Sequence, residues 1–364
     1  MIYFDNAATT KPCKEALEAA LSCTENCFGN PSSLHHMGVK AEEIITSAKK
    51  TVLNRLCKEG EIFFTSGATE SNNIAIFGTA NALKRRGNRI VTTAIEHPSV
   101  SEPLKKLSEQ GFEVVSLKPC DNEDLERAVI DAADEKTILV SVMAVNNETG
   151  FIIDTKKVYE GVKRKNPGCT VHVDGVQGFC KVPLYGDTIS LSGHKIHALK
   201  GIGVLYKSKS TRLLPIAYGG GQQSGLRSGT EPVELTASLK AAVEAYPEAV
   251  TKFSELRHRL TGHLKQLDRI IINSPENGID NILNFSVLGV RSEIMLHYLE
   301  EKNIYVSSGS ACSKGKISPV LSALGISRER ADSAVRVSFC RDNTEAEVDI
   351  LAQALEDGIK RFRR

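Results

Sequence analysis

The sequence lacks any long apolar run and any long basic tract. A membrane-spanning helix needs about 20 consecutive apolar residues, so no such helix is predicted. Lys and Arg number 46 against 44 Asp and Glu, and the formal net charge of +2 argues against a surface coated by nucleic acid. The opening "MIYFDNAATT" has neither the charged nor the apolar part of a signal peptide. We therefore expect a cytoplasmic protein without membrane or nucleic-acid partners.

A disulfide framework is also missing. The 9 cysteines include no C-x-x-C pair, and their odd number is spread along the whole chain. Cys23 and Cys27 are close in sequence, but no second pair of ligands at metal spacing accompanies them, so no metal site is predicted there. Most of these thiols are expected to be inert and partly buried.

The pattern of the chain predicts an α/β protein. At 364 residues it exceeds what a single core usually accommodates, so two domains are expected. Short apolar runs predict strands at 62–64, 89–93, 113–116, 138–142, 171–174, 189–191 and 204–206. Helical patterns lie between several of them, at 72–85, 98–110, 123–133 and 155–165. Such alternation favours a mostly parallel sheet, whose functional sites lie at the carboxyl ends of the strands.

One lysine directly follows a short buried strand, in the segment "SLSGHK" that ends at Lys195. Burial lowers the pKa of a lysine because desolvation disfavours its charged form, and Schiff-base chemistry requires a neutral amine. Asp174 ends an earlier apolar run, in "HVDGVQ". A lysine and a carboxylate at two strand ends suit pyridoxal phosphate, with the lysine at its aldehyde and the aspartate at its ring nitrogen. The alternative is a structural Asp–Lys pair.

Polar residues follow three further strands. "TSGATESNN" turns from a strand into a helix at Gly67, so Ala68 and Thr69 present backbone N–H groups and a hydroxyl to an anion such as a phosphate. His97 follows the next strand in "AIEHPSV" and is expected either to stack on a flat ring or to be a structural residue. The amides of "AVNNETG", which include Asn147, suit a hydrogen bond to a phenolic oxygen.

Two later segments combine small residues with reactive ones. "YGGGQQSGLRSGT" carries Arg227 and Thr230, and a flexible linker would explain its glycines but not the arginine and the hydroxyls. Cys312 lies in "SSGSACSKGK", just before Lys314 and Lys316. Its small polar neighbours predict an exposed, mobile loop, and the lysines favour the thiolate, which is the reactive form of cysteine. The alternative is a loop cysteine without a function.

The segments "FDNAATT", "TSGATESNN", "EHPSV", "NNETG", "HVDGVQ", "SGHK", "GLRSGT" and "SSGSAC" together resemble cysteine desulfurases of the NifS/IscS type. These are fold-type I pyridoxal-phosphate enzymes of the class V aminotransferase group, and the match continues in order to "VRVSF" near the C-terminus. The resemblance implies a large cofactor-binding domain at 15–250 with a mostly parallel seven-stranded sheet. It implies a smaller α+β domain, formed by 1–14 and 251–364, that carries the cysteine loop.

The resemblance also implies roles for the matching residues. Lys195, Cys312 and His97 would be catalytic, with pyridoxal phosphate held by Lys195, the ring stacked on His97 and sulfur accepted by Cys312. Asp174 would pair with the ring nitrogen, and Arg336, in "AVRVSF", would clamp the substrate carboxylate. The other implied contacts are Ala68, Thr69, Ser192 and His194 at the phosphate, Thr230 at the phosphate of a neighbouring subunit, and Asn147 and Gln177 near the phenolic oxygen and the substrate.

The implied activity is the removal of sulfur from L-cysteine, giving L-alanine and a persulfide on Cys312. An acceptor protein would then take the sulfur for iron–sulfur cluster assembly or for thiolation of tRNA or a cofactor, and a homodimer is expected. The alternatives are a selenocysteine lyase or a class V aminotransferase on the same scaffold, and a non-catalytic scaffold protein without the cofactor. No resident metal is implied, and whether Cys312 transiently ligates a cluster is left open.

Overall fold

The structure, a computed structural model, describes residues 1–247, 251–308 and 318–362. Strands and helices alternate through these ranges as the sequence predicts. In chain order they are β1 (Ile2–Tyr3), α1 (Lys14–Asn26), α2 (His36–Leu56), β2 (Glu61–Thr65), α3 (Ala68–Leu83), β3 (Arg89–Thr93), α4 (Pro98–Glu109), β4 (Glu113–Leu117), α5 (Leu125–Ala132), β5 (Thr137–Met143), α6 (Thr155–Lys165), β6 (Thr170–Asp174), β7 (Thr188–Ser192), β8 (Gly203–Lys207), α7 (Val233–Ala245), α8 (Thr251–Gln266), β9 (Ile270–Ile272), β10 (Ile282–Val287), α9 (Ser292–Glu301), β11 (Ile304–Tyr305), α10 (Pro319–Ala323), α11 (Arg328–Asp332), β12 (Ala334–Ser338) and α12 (Glu345–Phe362).

A large sheet has the strand order β2–β8–β7–β6–β5–β3–β4. All neighbouring strands in it are parallel except β8, which is antiparallel to both β2 and β7. Every residue of β5 is buried, as expected for a strand covered by helices on both faces of its sheet. The mostly parallel seven-stranded sheet expected from the sequence is therefore confirmed.

The reversed direction of β8 leaves β2, β7, β6, β5 and β3 pointing the same way. Their carboxyl ends meet at one edge of the sheet, where α/β proteins place their ligands. The residues at these ends are Thr65, Ser192, Asp174, Met143 and Thr93. This edge contains the candidate site.

Helix α3 covers one face of the sheet and begins earlier than the pattern predicts. The prediction started at 72, whereas the helix starts at Ala68, because the small polar residues after Gly67 form its first turn. Most of its length is buried against β2 and β5 to β8. The helix start is therefore at the carboxyl edge of the sheet.

A second core lies among the C-terminal elements. It contains the sheet β12–β10–β9 and buried side chains that include Phe4, Phe285 and Leu355. The N-terminal strand joins it, since Ile2 pairs with Ile304 in parallel. The expected division into 15–250 and the two flanking parts stays a prediction, and this pairing is consistent with it. The elements β9, α10 and α11 are too short to show a sequence period.

Within the described residues, no helix is long and apolar enough to cross a membrane. The predicted sulfur acceptor Cys312 belongs to 309–317, which lie outside the described residues.

Candidate active site

The candidate residues follow the carboxyl ends of neighbouring strands. Ala68 begins α3 just after β2, His97 follows β3, and Asn147 follows β5. Asp174 is the last residue of β6, and Lys195 follows β7. The sheet order places β7, β6 and β5 side by side, so the topology brings these residues to one edge.

The amine of Lys195 is held by the N-terminal segment. A single helical turn after β7 presents the side chain. Lys195 Nζ donates hydrogen bonds of 2.7 Å to the carbonyl oxygens of both Ala7 and Ala8. Burial, and then the positive charge of Arg336, lowers the pKa of Lys195 from 10.5 to about 8. The amine therefore loses its proton more readily than an ordinary lysine, and it donates to backbone carbonyls rather than to Asp174.

Asp174 is a buried carboxylate that accepts two hydrogen bonds. Its Oδ2 accepts from Asn72 Nδ2 at 2.9 Å, and its Oδ1 accepts from the backbone N–H of Val176 at 3.1 Å. Burial raises the pKa of Asp174, and it outweighs these donors and the nearby His97 and Lys195, which lower it. The ionised form therefore depends on its donors and on a neighbouring cation.

His97 is a neutral imidazole at the start of α4. Its Nδ1 accepts from the backbone N–H of Ser99 at 3.1 Å and lies 2.8 Å from Ser99 Oγ. Because Nδ1 accepts, the ring proton is assigned to Nε2. Burial is the main cause that lowers the pKa of His97. His97 and Thr69 line one cavity of about 500 Å³ between α3 and α4, whereas Lys195 and Asp174 are not part of its lining.

The predicted phosphate residues meet across the start of β8. Gly203 pairs with Thr65 of β2 on one side and with Ser192 of β7 on the other. A Cβ on Gly203 would collide with the backbone of Gly67, so only glycine lets the turn before α3 come this close. The first N–H groups of α3, from Ala68 onward, have no partner within the helix. The predicted anion site therefore adjoins Ser192.

His194 and Gln177 contact the N-terminal segment. His194 Nδ1 lies 3.1 Å from Thr9 Oγ1, and burial, with the charge of Lys195, lowers the pKa of His194 to about 4. Gln177 Nε2 donates to the carbonyl oxygen of Ala7 at 2.8 Å, and the same oxygen accepts from Lys195 Nζ. Gln177 therefore shares a partner with the candidate lysine.

Known proteins match this chain over its whole length. The family model described as Aminotransferase class-V matches residues 2–351. The chain belongs to this family. Cysteine desulfurase IscS of Serratia proteamaculans (strain 568) is 38% identical over 381 residues, covering 100% of this chain and 93% of that protein. The resemblance to the NifS/IscS type is thereby confirmed.

Two solved structures of similar proteins support the same assignment. A NifS-like protein has 37% sequence identity and a TM-score of 0.89, with 99% of each chain covered. The structure titled SspA in complex with cysteine has 30% identity and a TM-score of 0.82, with 93% of this chain and 99% of that chain covered. Fold and family therefore agree.

Proteins of the class V aminotransferase family depend on pyridoxal phosphate. The residues of this edge fit that group chemically, since they provide an amine of lowered pKa for its aldehyde and a buried carboxylate for its ring nitrogen. The N–H groups that begin α3, beside the hydroxyl of Ser192, suit its phosphate.

Arg336 of β12 reaches the same region from the far end of the chain. Its side chain is buried, its Nη1 donates to the carbonyl oxygen of Asn147 at 2.9 Å, and its Nη2 donates to Asp5 Oδ1 at 2.7 Å. Within the described residues, the buried Nε has no hydrogen-bond partner. These two hydrogen bonds use two of the five N–H groups of the guanidinium, which leaves donors on more than one nitrogen for a bound carboxylate.

The glycine-rich segment that ends at Thr230 is docked on the edge of the large sheet. The amide of Gln223 makes two hydrogen bonds, of 2.6 and 2.7 Å, with the backbone of Phe64 in the edge strand β2. Arg227 Nε donates to Glu70 Oε1, in the first turn of α3, at 3.0 Å. These contacts account for the arginine that a flexible linker did not explain, and they leave Thr230 exposed.

Both flanks of 309–317 lie beside the candidate site. Ser318 Oγ donates to Glu148 Oε2 at 2.6 Å, and Ser307 exchanges two backbone hydrogen bonds with Arg336. Burial raises the pKa of Glu148 to about 7, and the charge of Arg336 opposes this rise. The described residues on either side of the segment that includes Cys312 are therefore tied to the surroundings of Arg336.

The sequence motifs predict no role for three residues that contact the candidate residues. Asn72 donates to Asp174, the backbone N–H of Ser99 donates to His97 Nδ1, and His172 Nε2 lies 3.0 Å from Asn72 Oδ1. The two-residue period of β6 could have placed His172 on the same face as Asp174. Nothing in the sequence pairs Asn72 with either of them, because that contact joins a helix to a distant strand.

We predict that Lys195 titrates near pH 8 in the cofactor-free protein. Its reaction with an amine reagent is followed by mass spectrometry of its peptide, over a pH range that extends above 10.5, and should have a midpoint of about 8. In Arg336→Gln the midpoint should rise, because a neighbouring positive charge that favours the neutral amine is removed. A midpoint near the ordinary value of 10.5 in the unaltered protein would contradict the prediction.

Proposed function

We propose that this protein is a pyridoxal-phosphate-dependent cysteine desulfurase that uses Cys312 as its sulfur acceptor. The observation that carries the proposal is the position of the Lys195 amine and the Asp174 carboxylate after adjacent strands of one sheet edge, beside the guanidinium of Arg336. Two of the similar proteins support it, one named a cysteine desulfurase and the other solved with cysteine.

Pyridoxal phosphate, when bound, would supply an electron sink for the substrate. Lys195 would hold it at the aldehyde, Asp174 at the ring nitrogen and His97 at the ring face. The remaining contacts would come from Ala68, Thr69, Ser192, His194 and Thr230 at the phosphate, and from Asn147 and Gln177 at the phenolic oxygen and the substrate side. Burial favours the neutral form of Asp174, whereas a protonated ring nitrogen beside it would be a cation that favours the charged form. In this proposal the carboxylate of Asp174 therefore stays charged when the cofactor is bound.

Lys195 would move the substrate proton. A pKa of about 8 leaves a substantial part of the amine neutral just above neutral pH, so Lys195 Nζ can accept the proton from the substrate Cα. The two N–H groups of the neutral amine donate to the carbonyl oxygens of Ala7 and Ala8, and these hydrogen bonds orient Nζ. A carboxylate bound at Arg336 would place negative charge beside Lys195 and thereby oppose the effect of Arg336 on the pKa of Lys195.

Cys312 would take the sulfur as a thiolate. The thiolate attacks the sulfur of L-cysteine, the bond between that sulfur and Cβ breaks, and the substrate carbon retains the electron pair and gains a proton. The products are L-alanine and a persulfide on Cys312, so the atoms balance without an added oxidant. The persulfide sulfur would pass to an acceptor protein for iron–sulfur cluster assembly or for thiolation of tRNA or a cofactor. The expected cytoplasmic location stays a prediction.

Desulfurase activity predicts that incubation with pyridoxal phosphate and L-cysteine yields L-alanine. Mass spectrometry should find about 32 Da, one sulfur atom, added to the peptide that contains Cys312. Cys312→Ala should retain the cofactor absorbance but lose alanine formation and sulfur transfer. Cys120→Ala, which alters an exposed thiol, should behave like the unaltered protein.

Three results would reject this function. Undiminished activity of Cys312→Ala would favour an aminotransferase, and turnover of selenocysteine without turnover of cysteine would identify a selenocysteine lyase. A protein that gains no pyridoxyl group on Lys195 after borohydride treatment would be a non-catalytic scaffold.

Arg336 is predicted to set the KM for L-cysteine. Arg336→Lys keeps the charge but loses the two-pronged contact, and we expect KM to rise about tenfold. Arg336→Gln loses both the charge and the two-pronged contact, and we expect KM to rise about 100-fold, since a charge-assisted pair is worth about 2–3 kcal/mol. Arg259→Gln, which changes an exposed arginine of α8, is the matched control and should leave KM unchanged. An unchanged KM in both Arg336 variants would exclude this residue as the carboxylate clamp.

We also propose that the protein is a homodimer in which Thr230 serves the phosphate site of the partner subunit. The support is the exposure of Thr230 at the end of a segment that Gln223 and Arg227 hold in place. Exposed apolar side chains on and after α1, among them Leu21 and Leu34, provide surface for a second copy.

Mixed dimers test which subunit Thr230 serves. When Lys195→Ala and Thr230→Val chains are combined, one site per dimer has both Lys195 and the partner's Thr230, and it should bind pyridoxal phosphate as tightly as the unaltered protein. When the double variant is combined with unaltered chains, the single lysine site lacks that hydroxyl, and its affinity should fall about tenfold. The reverse pattern would assign Thr230 to its own subunit, and a monomer in sedimentation would reject the dimer.

A further inference from the structure

A single buried amide joins the two side chains that are proposed to hold the cofactor ring. Asn72 Nδ2 donates to Asp174 Oδ2 at 2.9 Å and to Ser99 Oγ at 2.8 Å. Ser99 Oγ in turn lies 2.8 Å from His97 Nδ1. Asn72 is fully buried on the face of α3 that covers the sheet, so water does not compete for these hydrogen bonds.

The third partner of Asn72 is His172, which lies at its amide oxygen. His172 Nε2 lies 3.0 Å from Asn72 Oδ1, and His172 Nδ1 lies 2.9 Å from Thr188 Oγ1. Burial lowers the pKa of His172 to about 3, so this ring is neutral at any physiological pH. Because the carboxylate of Asp174 accepts, Asn72 turns its amide nitrogen toward Asp174 and Ser99 and its oxygen toward His172, and the ring proton of His172 is accordingly assigned to Nε2.

A purely structural role for Asn72 is the alternative, because α3 covers a polar row of the sheet. Thr92, Ser141, His172 and Thr188 lie in register on neighbouring strands β3, β5, β6 and β7. Satisfying His172 alone would need only the oxygen of Asn72. The amide nitrogen, however, bonds to the carboxylate and to the hydroxyl beside the imidazole, which are the side chains at the cofactor site.

We propose that Asn72 is a positioning residue that orients Asp174 and, through Ser99, His97 toward the cofactor ring; the inference rests on the proposed function. A hydrogen bond donated to a carboxylate stabilises its charged form, and this opposes the burial that favours the neutral form of Asp174. Without the bond, Asp174 would pair less well with a protonated ring nitrogen. The same loss would free Ser99 and so loosen the imidazole of His97.

Asn72→Leu tests the proposal because leucine has a similar size and no donor. The expected results are a dissociation constant for pyridoxal phosphate about tenfold higher and a kcat for alanine formation about tenfold lower, with KM for L-cysteine within about twofold, since Arg336 is untouched. In the cofactor-free protein, the NMR titration of labelled His97 should also shift. Ser99→Ala should shift that titration but retain most of the cofactor affinity, because the bond from Asn72 to Asp174 remains.

Two further variants complete the design. Asn122→Ala removes an exposed asparagine amide that donates to the carbonyl oxygen of Lys118 and contacts none of the candidate residues through it, so this variant should match the unaltered protein in all measurements. Asn72→Ser keeps one donor and provides the test if Asn72→Leu fails to fold. Its affinity for pyridoxal phosphate should lie between those of the unaltered protein and the leucine variant.

The outcomes separate this inference from the proposed function. If the unaltered protein binds pyridoxal phosphate and desulfurates cysteine, but folded Asn72→Leu or Asn72→Ser has the same kcat, cofactor affinity and His97 titration, the inference is wrong and the function stands. If lower thermal stability is the only change, Asn72 is structural and the inference is also wrong. If the unaltered protein binds no pyridoxal phosphate, the proposed function and the inference on Asn72 are both wrong.

Discussion

The common direction of β2, β3, β5, β6 and β7 is the constraint on which the site depends. It brings five strand ends to one edge, so residues that are far apart in sequence become neighbours without any long loop. The reversed strand β8 is part of this arrangement, because its first residue, Gly203, pairs with the ends of both β2 and β7. A bulkier residue there would separate the turn before α3 from Ser192, and the N–H groups of the helix would no longer face the same space.

Burial of ionisable groups gives this edge its chemical character. Desolvation is the largest cause of the shifted pKa values of Lys195, Asp174, His97 and Glu148. Each shift favours the neutral form, and each group is held by hydrogen bonds that limit the cost of its burial. Pairs of ionisable groups whose pKa values are displaced in this way are typical of sites that move protons.

The N-terminal segment connects the C-terminal strands to the large sheet. Its carbonyl oxygens at Ala7 and Ala8 accept from Lys195, and Asp5 binds the guanidinium of Arg336. Phe4, between these contacts and β1, is buried in the C-terminal core. The position of the candidate lysine relative to the candidate carboxylate clamp is therefore determined by residues from both ends of the chain, which links the site to the assembly of the whole fold.

The sequence by itself determined the fold class, the seven strands of the large sheet and most of the residues at its edge, because alternating apolar runs and helical periods are local signals and the residues follow them directly. It also led to the family, through short motifs in a matching order. Only the tertiary structure decided that Asn72 bonds to Asp174, that Gln223 docks on β2, and that Lys195 donates to Ala7 and Ala8. These contacts join residues about 100 or more positions apart, and their geometry depends on helix–sheet packing and on burial, which no local pattern specifies.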